Sequence, residues 1–304
     1  MIDTLIFIID DSLLFFTVVI LIYWFILALA SHFKRTPYPK VKSKYRCAIL
    51  IPEKNNFSNT ISEETSYDLI TYKDLPETVL SLNKEQYNLV ILLSNVANDL
   101  SPQLIEKVFN AYDAGTKVIQ LHSVIKDRKG FTKYIQAVRE EINNNLFRVG
   151  NTQLGFSSNL YGANIAIDLA WLQNNLKTSK TNLERKLFKQ NIYIDYLPDA
   201  TVYCESMPVY PYRKRTGKLL SYLFPSLLER NWNFCNRIIQ QILPSPSKLY
   251  TCICIWTLLM TGYDWMSSFK WWIILLGLSI TYSLAIPDYL VKKKKRIKLL
   301  IWKR

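Results

Sequence analysis

The sequence predicts an α/β domain with a mainly parallel sheet, carried between one N-terminal and two C-terminal transmembrane helices. Uncharged apolar runs stand at both ends of the 304 residues. Between them, short apolar runs of strand length alternate with stretches of helical periodicity. Lys and Arg crowd the flanks that face this middle region.

The first span is Ser12 to Phe33, which carries no formal charge. At 1.5 Å per residue it makes roughly 33 Å of helix, enough for the hydrocarbon core. It is too long and too rich in Trp and Tyr for a signal peptide, and its leading flank is acidic (Asp3, Asp10, Asp11), so it is expected to stay in the mature protein. Lys34, Arg35, Lys40, Lys42, Lys44 and Arg46 follow it, which puts the N-terminus outside and the globular part inside. Leu249 to Tyr263 and Trp271 to Pro287 form a hairpin about an Asp264 to Lys270 turn, closed by Lys292 to Arg296. The first arm is about 22 Å long; a tilted, interfacial or re-entrant segment is its alternative. The expected organisation is a helix over 1–33, an α/β domain over 34–210, amphipathic interface helices over 211–248, a transmembrane hairpin over 249–290 and a basic tail over 291–304.

Within the domain, Arg46 to Pro52 and Tyr87 to Leu93 read as buried strands. Pro102 to Ala114 has helical spacing and stops at Gly115. Thr116 to Leu121 follows as a strand, Phe131 to Phe147 as a helix and Asn182 to Gln190 as another. Tyr193 to Leu197 and Ala200 to Cys204 read as two strands split by Pro198-Asp199. Beyond Pro211, apolar residues at helical spacing (Leu219, Leu220, Leu223, Trp232, Ile238, Ile242) lie beside Lys214, Arg215, Lys218, Arg230 and Arg237. Such helices lie in a headgroup layer or pack on the domain.

A net charge of +14 concentrated beside the apolar runs favours an anionic membrane surface over nucleic acid as partner, or simply fixes topology. The five cysteines contain no Cys-x-x-Cys pair, and His32 and His122 are the only histidines. That pattern fits no zinc, haem or disulfide framework and suits a reducing compartment. The eight glycines form neither a dinucleotide fingerprint nor a Walker loop.

The order of the parts resembles the membrane-bound family 2 glycosyltransferases, the class of cellulose and hyaluronan synthases, in their bacterial single-leading-helix form. The matching segments are Ala48-Ile49-Leu50-Ile51-Pro52, Glu140 to Arg148, Leu154-Gly155-Phe156-Ser157-Ser158, Leu183 to Leu187, Ile194 to Tyr203, and Asn231-Trp232-Asn233-Phe234 leading to Leu243-Pro244. They cover most of residues 1–260. The resemblance implies a GT-A-like fold, a nucleotide-sugar donor, Mg or Mn held by an Asp-x-Asp motif, and a place in the bacterial inner membrane with the domain in the cytoplasm.

The functional positions have drifted from that pattern. The metal motif falls at Ser94-Asn95-Val96-Ala97-Asn98-Asp99, where Asp99 is the sole carboxylate and is equally a turn or N-cap residue before Pro102. The catalytic base falls at Thr181-Asn182, and an amide cannot take a proton. Glu184 lies two residues on, turned about 200° away on a helix, where a solvent or salt-bridge role is expected. The acceptor loop reads Gly162-Ala163-Asn164, with Asn in place of a second small residue. The Gln-x-x-Arg-Trp channel motif falls at Lys214 to Lys218, where only Arg215 survives. Between Glu53 and Gln86 roughly half of the expected strand-helix-strand insert is missing.

Three readings follow. The chain is a glycosyltransferase-like protein of envelope glycan synthesis that has lost donor chemistry, needs no cofactor and acts as partner or regulator of an intact enzyme. Alternatively it is an active inverting enzyme using Mg or Mn, with Asp99, Lys126, Arg128 or Lys129 on the metal or phosphates and Glu184 or Asp199 as base. The third reading is an unrelated membrane-anchored α/β protein.

Overall fold

The structure is a computed structural model and describes residues 2–33, 35–53, 66–94, 101–126, 128–160, 164–176, 183–204, 220–287 and 289–290. In chain order the elements are α1 (Ile2–Ala30), β1 (Cys47–Pro52), β2 (Tyr67–Tyr72), α2 (Leu75–Ser81), β3 (Leu89–Leu92), α3 (Pro102–Asp113), β4 (Val118–Ile125) and α4 (Phe131–Asn144). A π-helical turn (Asn145–Gly150), α5 (Asn151–Gln153), β5 (Ile165–Asp168), α6 (Leu169–Leu176), α7 (Leu183–Lys189) and β6 (Ile194–Cys204) follow. A 3₁₀ turn (Leu220–Tyr222), α8 (Leu223–Leu228), α9 (Trp232–Ile242), α10 (Pro246–Tyr263) and α11 (Trp265–Ala285) complete the chain. Two compact units result: one from Arg35–Ala137 with Gly155–Ile238, the other from Met1–Lys34, Val138–Leu154 and Ile239–Arg304.

The first unit is a mixed six-stranded sheet in the order β2-β1-β3-β5-β4-β6. Strands β2, β1 and β3 are parallel, β5 is antiparallel to both β3 and β4, and β6 is parallel to β4. Five strands therefore share one direction and only β5 opposes them. Alternate residues of β1 face opposite layers. Ala48 and Leu50 join a core with Val79, Leu169, Leu187 and Phe234, while Cys47, Ile49 and Ile51 join one with Leu104, Ile105, Val108 and Phe109. Burial on both faces is why the β1 and β3 sequences are continuously apolar.

Differences from the sequence reading have local causes. The run Ile194 to Cys204 is one strand, because the Pro198-Asp199 break is absorbed as a bulge on the edge of the sheet, between the Leu121↔Leu197 and His122↔Thr201 pairs. The Pro198 carbonyl exposed by the bulge meets His122 Nδ1 at 2.9 Å. Ser101, not Asp99, caps α3, its hydroxyl accepting from the Leu104 amide at 3.2 Å. Gly115 at φ +95° ends the chain's passage out of α3 as expected. The region between β1 and β3 holds both a strand, β2, and a helix, α2.

The second unit joins α1, the 138–154 segment and the C-terminal hairpin. Trp24, Leu27, Leu146, Ile253, Trp271 and Leu278 share its core. Helices over Ile6–Ala30 and Trp265–Ala285 are long and apolar enough to cross a membrane. The α10–α11 turn is a single residue: Asp264 caps α11 through Met266 N at 3.1 Å, so 265–270 is helix rather than turn. Glu140 and Arg148, both buried, pair at 3.1 Å across the start of the π turn, with Asn144 also accepting from Arg148.

Candidate active site

In a sheet whose strands mostly run one way, ligands gather at their carboxyl ends, and this edge is where β3, β4 and β6 stop. Asn164 is the group that ties it together. It precedes β5, is wholly buried, and holds φ at +65°, a left-handed conformation that Asn tolerates better than most side chains. Its amide donates to the Leu92 carbonyl at 2.6 Å and its carbonyl accepts from Leu121 N at 2.9 Å. Its side-chain oxygen accepts from Ser94 N at 3.2 Å, and its side-chain nitrogen donates to Ser123 Oγ at 2.8 Å and meets Cys204 Sγ at 3.3 Å. One residue thus pins the ends of β3, β4 and β6.

Ser94, the first residue of the metal-motif position, is held there by that bond. Its own hydroxyl is buried with no hydrogen-bond partner among the described residues. Burial pushes the Cys204 thiol up to about 11, with the Asn164 amide opposing, so the sulfur facing this edge is an inert thiol rather than a thiolate. Asn95 and Asp99 lie outside the described residues. Gly162, Thr181, Asn182, Lys214 and Arg215 do as well.

Glu184 is joined to a different set of groups. It lies in α7, 7 % exposed, and both its oxygens reach Arg237 Nη2 of α9, at 2.8 and 3.0 Å. One oxygen also accepts from the Leu160 amide at 3.2 Å. A carboxylate held this way is an acceptor for fixed donors, not a free base. Asp199 is exposed in the β6 bulge, where its carbonyl accepts from Lys107. Lys126, Arg128 and Lys129 follow β4; the Arg128 Nε donates to the Ile125 carbonyl at 3.0 Å.

Among the described residues, no three His, Cys, Asp or Glu side chains lie close enough to hold a metal ion. The groups gathered at the β3 end are hydroxyl, amide and thiol. Mg²⁺ and Mn²⁺ take hard anionic oxygens, so these described residues do not fit a divalent cation. Ser123 escapes notice in the sequence, and Arg237 reads there only as a basic flank of an amphipathic helix, since nothing local marks an arginine 53 positions away as the partner of Glu184.

The family model for glycosyl transferase family group 2 matches residues 90–284, more than half of the chain. The chain belongs to that family. No curated protein sequence matches it significantly. Among solved structures, the mannosyltransferase PcManGT from Pyrobaculum calidifontis, in complex with GDP-Man and Mn²⁺, is similar over 91% of this chain and 97% of that one, at 10% identity and a TM-score of 0.47. Within this family member the match begins inside β3 and takes in the Asn164 hub and the Glu184–Arg237 pair.

Proposed function

We propose that this family member is a membrane-anchored, glycosyltransferase-like protein of cell-envelope glycan synthesis that has lost donor chemistry and serves an intact glycosyltransferase as partner or regulator. The observation that carries the reading is the strand end itself. At the point where a nucleotide-sugar enzyme of this class needs paired carboxylates, the chain has Ser94-Asn95-Val96, with Ser94 locked to Asn164. The nearest acid to the base position, Glu184, is consumed by Arg237 and Leu160.

The anchoring part of the proposal rests on the apolar helices and the basic residues that flank them. It places the chain in a bacterial inner membrane as a multi-pass protein, with the α/β unit in the cytoplasm. Leu220, Phe224, Leu228 and Trp232, each more than half exposed on the 3₁₀ turn, α8 and α9, offer apolar surface for the bilayer or the partner. No nucleic-acid role is proposed.

The test is binding and turnover of a labelled uridine diphosphate sugar by the detergent-solubilised chain, with and without Mn²⁺. Neither is expected. Turnover that disappears in Asp99→Asn would overturn the proposal and establish an active inverting enzyme.

A further inference from the structure

Asp10 is fully buried in α1, within a segment apolar enough to cross a membrane. An uncompensated carboxylate there is costly. Among the described residues, its compensation comes from the C-terminal hairpin. The indole N–H of Trp256 on α10 and that of Trp271 on α11 both donate to Oδ1, at 2.8 and 2.7 Å, and the Lys270 ammonium reaches Oδ2 at 2.6 Å. Lys270 also reaches the exposed Asp11 at 3.0 Å. The two indole rings stand edge to face, 6.5 Å apart.

The geometry of the three helices makes this pairing possible. Asp10 lies about 6 Å past the start of its span and Lys270 about 7.5 Å past the start of α11, at 1.5 Å per residue, so the charges meet at one depth. At the far end His32 Nε2 lies 3.0 Å from the Leu284 carbonyl, which makes α1 and α11 run in the same direction. Helix α10 runs against α11, since the Tyr282 hydroxyl donates to the Pro246 carbonyl at 2.6 Å. Helix α10 is not among the helices apolar enough to cross alone. Its polar groups are instead satisfied inside the unit: Thr257 and Thr261 bond to carbonyls one turn back, Tyr250 meets Ser279 at 3.2 Å, and Trp256 meets Asp10.

We propose that Asp10 is an intramembrane docking group: one carboxylate on α1 that recruits both arms of the hairpin and lets the less apolar α10 cross as part of a three-helix unit. The proposal rests on the membrane reading above, but not on whether donor chemistry survives.

The experiment uses the full-length chain in native membranes, with Cys252 and Cys254 changed to Ala and a reporter pair, Leu21→Cys with Gly277→Cys. A Cβ at Gly277 would sit 2.9 Å from Leu21 Cδ2, so the two thiols report whether α11 is docked on α1. Oxidative cross-linking is expected to fall to about a tenth in Asp10→Ala, which strands two indole donors and leaves the Lys270 ammonium with the exposed Asp11 alone. It should stay above about half in the Asp10→Asn, Lys270→Met pair, which keeps an acceptor for both indoles and leaves no buried charge unpaired, Asp11 being exposed. A fall of less than about threefold in Asp10→Ala, or equal losses in the two variants, would overturn the proposal. If Asp10→Ala fails to accumulate, Trp256→Phe, which removes a single donor, is read against the same threshold. Release of the parent chain by alkaline carbonate would instead overturn the membrane reading, and the docking role with it.

Discussion

Arg237 Nη2 sits between the two carboxylate oxygens of Glu184, 2.8 Å from one and 3.0 Å from the other, joining α9 to α7. Both side chains are mostly buried, at 16% and 9% exposure. Removing one partner of such a pair leaves a stranded charge, commonly a loss of about 3–5 kcal/mol. Arg237→Ala is therefore expected to lower the melting temperature of the purified chain sharply. Glu184→Gln combined with Arg237→Gln should cost less than the sum of the two single changes. Additive losses would mean that the pair is not coupled.

At Asn164 the backbone and the side chain carry separate parts of the work. Asn164→Gly keeps the left-handed backbone and loses the links to Ser94, Ser123 and Cys204. Asn164→Ala loses the same links and adds a strain of about 1 kcal/mol. Thermal denaturation should rank the parent above Gly and Gly above Ala. An alanine variant as stable as the glycine one would remove the backbone argument.

A ligand present at 100 times its dissociation constant adds about 2.7 kcal/mol to the folded state. An intact donor site would show this as a rise in melting temperature with uridine diphosphate and Mn²⁺. No rise is expected here, because the described groups at the β3 end are a serine, an asparagine and a thiol. A reproducible shift of several degrees would restore the active-enzyme reading.

Topology is open to thiol labelling, but not at the native thiols of the domain. Cys47 and Cys204 are buried, and burial pushes them up to about 12 and about 11, so both should resist alkylation even in opened cells near neutral pH. Exposed reporters are needed. Met266→Cys at the hairpin tip is expected to react with an impermeant maleimide in sealed cells, and Glu106→Cys on the outer face of α3 only after permeabilisation. The opposite pattern would invert the proposed orientation.

Gly150 closes the π-helical turn against α1. A Cβ there would stand 2.5 Å from the Leu27 carbonyl oxygen, a backbone atom that cannot swing away. Gly150→Ala should destabilise by about 1–3 kcal/mol. The same change at Gly262, where a Cβ meets nothing within 4 Å, should be tolerated. Equal effects at the two sites would show that the close approach is not a constraint.

Strands with both faces buried are legible in sequence because no position need be polar: Ala48 to Ile51 and Leu89 to Leu92 read directly. Strand β2 is not, since Tyr67-Asp68-Leu69-Ile70-Thr71-Tyr72 forms a sheet edge on which no residue is fully covered and Asp68 and Thr71 interrupt the apolar run. Strand β5 is four residues long and sits in a segment that reads as a loop; its reversed direction exists only in its pairing with β3 and β4. The site divides in the same way. Missing carboxylates at Ser94 and Asn95 are visible one residue at a time. The Asn164 hub depends on contacts 40 to 70 residues away, and the Glu184–Arg237 pair on packing between α7 and α9. Polar residues at the hairpin tip read as a turn because Asp264, Ser267 and Lys270 resemble loop chemistry, whereas they cap and start a helix.

The partners of Asp10 are 246 and 261 residues downstream. At typical synthesis rates of 5–20 residues per second, roughly 12–50 seconds separate the making of Asp10 from that of Trp256. On the membrane reading proposed above, the nascent chain carries that acid through the interval with its partners still unmade. A chain truncated before the hairpin would keep that acid permanently. On that reading, such fragments should be short-lived in the cell.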